Sequence, residues 1–296
     1  MNRDGANADD EGVLDDAVLD DAVLDDGVLE DSVLDDAVGG ALLTAPWPVV
    51  LVHGTRTSRS QWDLQLPSLR AAGHQVDTPD LPGHGTRRGE PFTLGYAMAA
   101  IQEAVLHSHE HSGERVHLVG SSLGGMLAIH AAANLSAVPG ALGSLTACGA
   151  ALQPGPRGAR LYGALIRGTD LVPGMRTGLH GHPFTWILGQ DGARAYLRGG
   201  RADGSVVAPA FAAVASLDLH EDLRRIDAPV TFLHGRGDHL RAHERSLAAA
   251  APQGRLEVLP YGDHMVNLKM PGRFTADLLR VLARAQREQR VPADGS

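Results

Sequence analysis

The chain has 296 residues, 43% of them hydrophobic, 21% charged and one of them cysteine. That is enough apolar material for one large core or for a core with an inserted cap, and it leaves no internal disulfide to staple a small scaffold. The net charge of −9 is uneven: residues 1–40 hold 14 of the 35 acids and one of the 26 bases, so the remainder is close to neutral and has no concentrated basic patch, which argues against nucleic acid as a partner.

The first residues, Met1 to Gly12, lack the basic and apolar regions of a secretory signal, and no apolar run reaches the ~18–20 residues that span a bilayer. A cytoplasmic location without membrane attachment is the expectation. Residues 13–38 repeat with a period of five: Val13-Leu14-Asp15-Asp16-Ala17 recurs at Val18, Val23, Val28 and Val33. That period builds neither a helical nor a strand face, and successive Val-Leu pairs would rotate by ~140° on a helix. Dense like charge favours a disordered tail or fluctuating helix over residues 1–40. A single coil of pentapeptide-repeat solenoid, a repeat expansion without a role, and an arm that docks a partner stay open as readings.

After Gly39-Gly40 the texture changes. Trp47 to Val52 reads as a strand buried on both faces, Leu66 to Ala72 as a helix, and Gln75 to Thr78 as a second strand. A helix over Thr93–His107, a strand over Val116–Val119, a helix over Leu123–Ala133 and a strand over Ser144–Cys148 follow. Strands at Val230–Leu233 and Leu256–Leu259 and a helix from Arg273 to Ala283 complete the pattern. The expected fold is therefore α/β, a mostly parallel sheet covered by helices on both faces. Residues 152–223 break the alternation, with helical pieces near Leu161–Ile166, Thr185–Leu188 and Ala208–Ser216. A loop of that length without structure is improbable, so a helical lid is expected there, with core segments at 41–151 and 224–283 and a frayed tail at 284–296.

Gly120-Ser121-Ser122-Leu123-Gly124 is a G-x-S-x-G between a short apolar strand and a helix, the context that exposes a serine hydroxyl on a tight strand-to-helix turn. Ser122 is the candidate nucleophile. It needs a base and the base needs an orienting acid. Asp238, after the strand at Val230–Leu233, and His264, after the strand at Leu256–Leu259, follow in the order Ser, Asp, His at strand carboxyl ends. His239 leaves the same strand end as Asp238 and is set aside, as is His234; Asp263 adjoins His264 and is assigned to holding the loop. The oxyanion donors are expected to be the backbone N–H groups of Leu123 and of Thr55 in His53-Gly54-Thr55, with His53 bracing that loop.

Taken together, His53-Gly54, Asp80-Leu81-Pro82-Gly83-His84-Gly85, Gly120 to Gly125, Gly235 to Asp238 and Asp263-His264 resemble the α/β-hydrolase superfamily, in its Ser-Asp-His esterase and thioesterase-like branch, over about Pro48–Leu282. Members usually open with an antiparallel strand pair, and here the acidic repeat occupies that space. The resemblance implies hydrolysis of a carboxylic ester, thioester or lactone, free or carrier-bound, through an acyl-serine and without metal or organic cofactor. Cofactor-free perhydrolysis or haloperoxidation, carbon–carbon bond hydrolysis, and ligand binding without catalysis are the alternatives. A candidate substrate pocket is lined by Trp62, Met175, Phe184 and Trp186, with Leu179 and Leu188 nearby; packing is the competing reading for these residues. His180 and His182 are expected at the lid surface, His107, His109 and His111 as a solvated cluster, and Cys148 as a small buried residue.

Overall fold

The computed structural model describes residues 45–171 and 183–290. The acidic repeat, Met175, Leu179, His180 and His182 lie outside the described residues. Six strands form one parallel sheet: β1 (Val49–Val52), β2 (Val76–Asp77), β3 (Val116–Ser121), β4 (Leu142–Cys148), β5 (Val230–Gly235) and β6 (Gly254–Leu259), in the spatial order β2-β1-β3-β4-β5-β6. The helices are α1 (Leu66–Ala71), α2 (Leu94–Ser112), α3 (Leu123–Leu135), α4 (Pro156–Gly168), α5 (Pro183–Leu197), α6 (Val207–Ala215), α7 (Leu219–Arg224), α8 (Glu244–Ala250), α9 (Val266–Lys269) and α10 (Pro271–Arg290).

β1, β3, β4 and β5 are buried along their whole length and mostly apolar because both faces are covered. In β1, Val50 and Val52 enter a cluster with Ile101 of α2 and Leu127 of α3, while Val49 and Leu51 enter a second with Leu69 of α1 and Phe274 and Leu278 of α10. β5 splits in the same way, Phe232 to the first cluster and Leu233 to the second. This period of two places helices on opposite sides of the sheet, and the parallel pairing aims every strand's carboxyl end at one rim.

Between β4 and β5 the chain runs through α4, α5, α6 and α7. α5 bends at Gly189, whose φ of 73° interrupts the helical backbone. α2 starts at Thr93, whose side chain accepts from the Tyr96 N–H, and stops at Gly113 with φ 70°. It thus carries His107, His109 and His111 within its last turns; His107 and His111 stack, with ring centroids 6.2 Å apart.

One boundary differs from the sequence expectation. Residues 284–290 are not a frayed tail but the last two turns of α10. Gln286 Oε1 accepts from the Trp47 N–H at 3.1 Å, Gln286 Nε2 donates to the Ala45 carbonyl at 3.0 Å, and the Arg290 guanidinium lies 5.4 Å from the Trp47 ring. The helix continues because its end is tied to the segment leading into β1.

Candidate active site

Ser122 stands between β3 and α3 with φ 55° and ψ −119°, a conformation that L-residues rarely hold. Its own N–H donates to the Cys148 carbonyl at 2.8 Å. The turn depends on small neighbours: a Cβ on Gly124 would run into the backbone of Val52 and His53. Ser122 therefore projects at the sheet rim, where the loops after β5 and β6 also end.

Those two loops are bound to each other. Gly237 N–H donates to the Gly262 carbonyl at 3.0 Å, and Arg236 N–H to the Leu259 carbonyl at 2.9 Å. Asp263 accepts from the Met265 N–H at 2.9 Å and pairs with Lys269, holding the residue between them in place. His264 Nε2 lies 3.1 Å from Ser122 Oγ, and His264 Nδ1 lies 3.0 and 3.2 Å from the two oxygens of Asp238. With the Nδ1 proton donated to the carboxylate, Nε2 is left to accept from the hydroxyl. Burial pushes the Asp238 carboxyl up, but the His264 hydrogen bond and charge, the Leu240 N–H and the His234 charge outweigh it, so Asp238 ends below the usual carboxylate range and stays ionised.

The loop after β1 abuts the turn at Ser122; a Cβ on Gly54 would lie 3.4 Å from the Ser122 Cβ. Its three successive N–H groups differ. Gly54 N–H donates to Gln61 Oε1 at 2.8 Å and Arg56 N–H to His84 Nε2 at 3.3 Å, whereas among the described residues the Thr55 N–H has no hydrogen-bond partner. The same holds for the Leu123 N–H at the start of α3. Two uncommitted backbone donors thus flank Ser122, which is the arrangement that a developing oxyanion requires. His53 spans the loop and its neighbour, donating from Nδ1 to the Gly54 carbonyl at 2.7 Å and accepting at Nε2 from the Leu81 N–H at 3.0 Å.

Two cavities meet at the Ser122–His264 pair. One, of about 560 Å³, is lined by Ser122 and Leu123 and then by apolar side chains that include Met126, Leu161, Leu165 and Phe211. The other, of about 450 Å³, is lined by Thr55 and His264 and then by Arg56, Phe184, Tyr196 and Arg201. A hydrogen bond at 3.1 Å between the Tyr162 hydroxyl and His239 Nε2 joins a wall of each.

The alpha/beta hydrolase family profile matches residues 49–278. The chain belongs to the alpha/beta hydrolase family. It is 30% identical over 253 residues to a Xanthomonas oryzae protein named pimeloyl-[acyl-carrier protein] methyl ester esterase, covering 79% of this chain and 94% of that one. It is 27% identical over 252 residues to a Variovorax paradoxus protein given the provisional name carbamate hydrolase RutD, covering 80% and 91%. A thermophilic esterase structure from Thermogutta terrifontis superposes with a TM-score of 0.64 at 22% identity, covering 82% of this chain and 91% of that one. This alpha/beta hydrolase is thus an enzyme of that fold, and among its described residues no helix is long and apolar enough to cross a membrane.

Within the hydrolase, two of the pocket residues expected from sequence are elsewhere. Trp62 is fully buried against Leu69 and Phe274 on the α1 and α10 side of the sheet, so it packs the core and lines neither cavity. Trp186 is 87% exposed on α5 and lines neither cavity. Phe184 does line the second cavity, its ring tilted against that of Tyr196 with centroids 4.9 Å apart. Cys148 is buried at the end of β4, and burial and the Asp238 charge push its thiol up, which keeps it protonated and inert.

Other residues enter the site without having been singled out. Gln61 links the loop after β1 to Ser121, Gly149 lies under the Asp238–His264 pair, and Arg56 lines the second cavity. His239, set aside as a base, lies with its ring centroid 4.7 Å from that of His264. Burial and the His264 charge push the His239 imidazole down, so it presents a neutral face. Asp238, His239 and His264 also offer ligand atoms within 4.8 Å of one another, but Asp238 and His264 are already engaged with each other and with Ser122.

Proposed function

We propose that this hydrolase cleaves a carboxylic ester, thioester or lactone through an acyl-serine intermediate. Ser122 Oγ attacks the carbonyl carbon while His264 Nε2 takes its proton. Asp238 holds the imidazole in the required tautomer and stabilises the imidazolium that forms. The N–H groups of Thr55 and Leu123 carry the oxyanion; losing one such donor costs roughly 3 kcal/mol of transition-state stabilisation. His264 then protonates the leaving group, and water, activated by the same imidazole, releases the acid. No step calls for a metal or organic cofactor.

The single observation that carries this reading is the unbroken chain of hydrogen bonds from Ser122 Oγ through His264 to Asp238. The apolar cavity beside Ser122 supports an acyl group of appreciable length. The relatives' names, a methyl ester esterase and a carbamate hydrolase, both describe acyl transfer to water. A small-molecule or carrier-bound substrate met in the cytoplasm, with the acidic N-terminal segment as a docking arm, is part of the same proposal.

The test is a chain-length series of p-nitrophenyl esters and acyl thioesters with Ser122→Ala as control. Turnover should fall by ~10³-fold or more in the variant. A fluorophosphonate should label the wild-type protein and not the variant; labelling that survives Ser122→Ala would reject this nucleophile.

A further inference from the structure

The two cavities differ in chemistry. The one beside Ser122 is apolar, whereas the one beside His264 has two guanidiniums in its wall, those of Arg56 and Arg201. Both are largely withdrawn from water, with side-chain exposures of 5% and 10%. Both bind the same carboxylate: Arg56 Nη1 reaches Asp170 Oδ2 at 2.7 Å and Arg201 Nη1 reaches Asp170 Oδ1 at 2.8 Å. Burial and the neighbouring Arg56 charge push the Arg201 guanidinium down. Desolvated like charges held this closely are favourable surroundings for an anion.

Arg56 retains a donor for one. Its Nε donates to the Ala202 carbonyl at 3.1 Å and its Nη1 to Asp170. Among the described residues Nη2 has no hydrogen-bond partner, and Arg56 lines the cavity. The position is meaningful because Arg56 follows Thr55 directly, on the loop beside Ser122, with its backbone fixed at φ 60°. A ligand group held there is therefore held at a set place relative to the reacting carbonyl.

Which half of a substrate enters is decided by proton transfer. His264 delivers its proton to the leaving group, and His264 lines this cavity and not the apolar one. We propose that the cavity lined by Arg56 and Arg201 is a subsite for a carboxylate carried by the leaving-group half of the substrate, the acyl half lying in the apolar cavity. Arg56 Nη2 can give such a carboxylate one charge-assisted hydrogen bond, and Arg201, whose Nη1 and Nη2 are held by Asp170 and Thr169, adds its positive charge. This deepens, and rests on, the serine-hydrolase reading.

Two measurements test it. The first compares butyrate esters of 3-hydroxybenzoate and 3-hydroxybenzamide, which share an acyl group and a phenolic leaving oxygen. The wild-type protein should prefer the anionic ester by about tenfold or more in kcat/KM. Arg56→Gln and Arg201→Gln should each bring that ratio close to one, Arg56→Lys should restore part of it, and Arg194→Gln, which removes an exposed pair with Asp191, should leave it unchanged. Because both esters are assayed on one preparation, partial misfolding of a variant cancels in the ratio. The second is calorimetric titration of Ser122→Ala with the free phenols, where 3-hydroxybenzoate should bind about tenfold tighter than 3-hydroxybenzamide. Equal binding of the two phenols, or a ratio that neither arginine variant moves, overturns the subsite; tighter binding of 3-hydroxyphenyl phosphate than of the benzoate overturns its assignment to a carboxylate. If the wild-type protein hydrolyses neither ester, fluorophosphonate labelling decides the serine-hydrolase reading and the titration decides the subsite.

Discussion

Gln61 Nε2 donates a hydrogen bond to Ser121 Oγ at 3.0 Å, while the carbonyl oxygen of the same amide accepts from the Gly54 N–H at 2.8 Å. One buried side chain therefore fixes the distance between the loop that carries Thr55 and the turn that carries Ser122. Neither end of the amide touches a substrate, so its effect is on position.

Gln61→Leu keeps the volume and removes both hydrogen bonds. It leaves the Gly54 N–H and the Ser121 hydroxyl buried without partners, which costs about 1–3 kcal/mol each at most in stability. With the Thr55 donor displaced, kcat should fall by roughly 10–100-fold, short of the loss from removing an oxyanion donor outright, and KM should change much less. Steady-state kinetics on an ester and a urea titration provide the check. A variant with wild-type kcat would show that the loop holds its place without this amide.

Gly149 offers a second lever, on the other side of the site. It follows β4 with φ 56°, and a Cβ added there would lie 2.8 Å from Asp238 Oδ2 and 3.0 Å from His264 Nδ1. Gly149→Ala therefore meets both an unfavourable backbone, at about 1–2 kcal/mol, and the two groups whose contact makes His264 a base. The carboxylate and imidazole must separate, and activation of Ser122 should weaken before the fold does. The expected result is a fluorophosphonate labelling rate lower by on the order of 100-fold, with far-UV dichroism unchanged. Labelling at the wild-type rate would mean that the pair absorbs a methyl group without losing alignment.

These two residues also show what the sequence makes legible. Ser122, Asp238 and His264 were readable because each belongs to a short pattern at the end of an apolar run, and local glycine requirements mark the turn. Gln61 and Gly149 act through contacts between segments 60 to 115 residues apart. A glutamine in a short 3-10 turn, or a glycine after a strand, announces no such partner. Trp62 and Trp186 fail for a related reason: an aromatic residue near a catalytic loop signals burial or a binding wall equally well, and only packing assigns Trp62 to the core and Trp186 to solvent. The place of His239 in the chain offers it only as a rival base, whereas its ring lies tilted against that of the base, His264. The length of α10 was hidden too, because its final turns are stabilised by Ala45 and Trp47 and not by an apolar stripe of their own.

The buried histidines make stability depend on mild acid. His84 donates from Nδ1 to the Pro82 carbonyl at 2.9 Å and accepts at Nε2 from the Arg56 N–H, so protonation would destroy the second bond. Burial, and then the neighbouring His53, pushes its pKa down to about 3; burial, and then His74, does the same to His117, also to about 3. Because the folded value lies below the ordinary 6.5, the unfolded chain takes up these protons first as pH falls. Their contribution is complete above pH ~6.5 and drains away between there and about 3, and at pH 5 each histidine should have cost about 2 kcal/mol. His53 and His74, also held low by burial, act in the same direction, whereas the depressed carboxyls of Asp80 and Asp238 matter only in stronger acid. The urea midpoint should therefore drop steeply from pH 7.5 to pH 5, and His84→Gln should be less stable at pH 7.5 yet lose less over the same interval. A midpoint that stays level across that range would mean that these imidazoles can accept protons within the folded protein, and the neutral His84 that holds the Arg56 N–H, one residue from the Thr55 donor, would have to be given up with it.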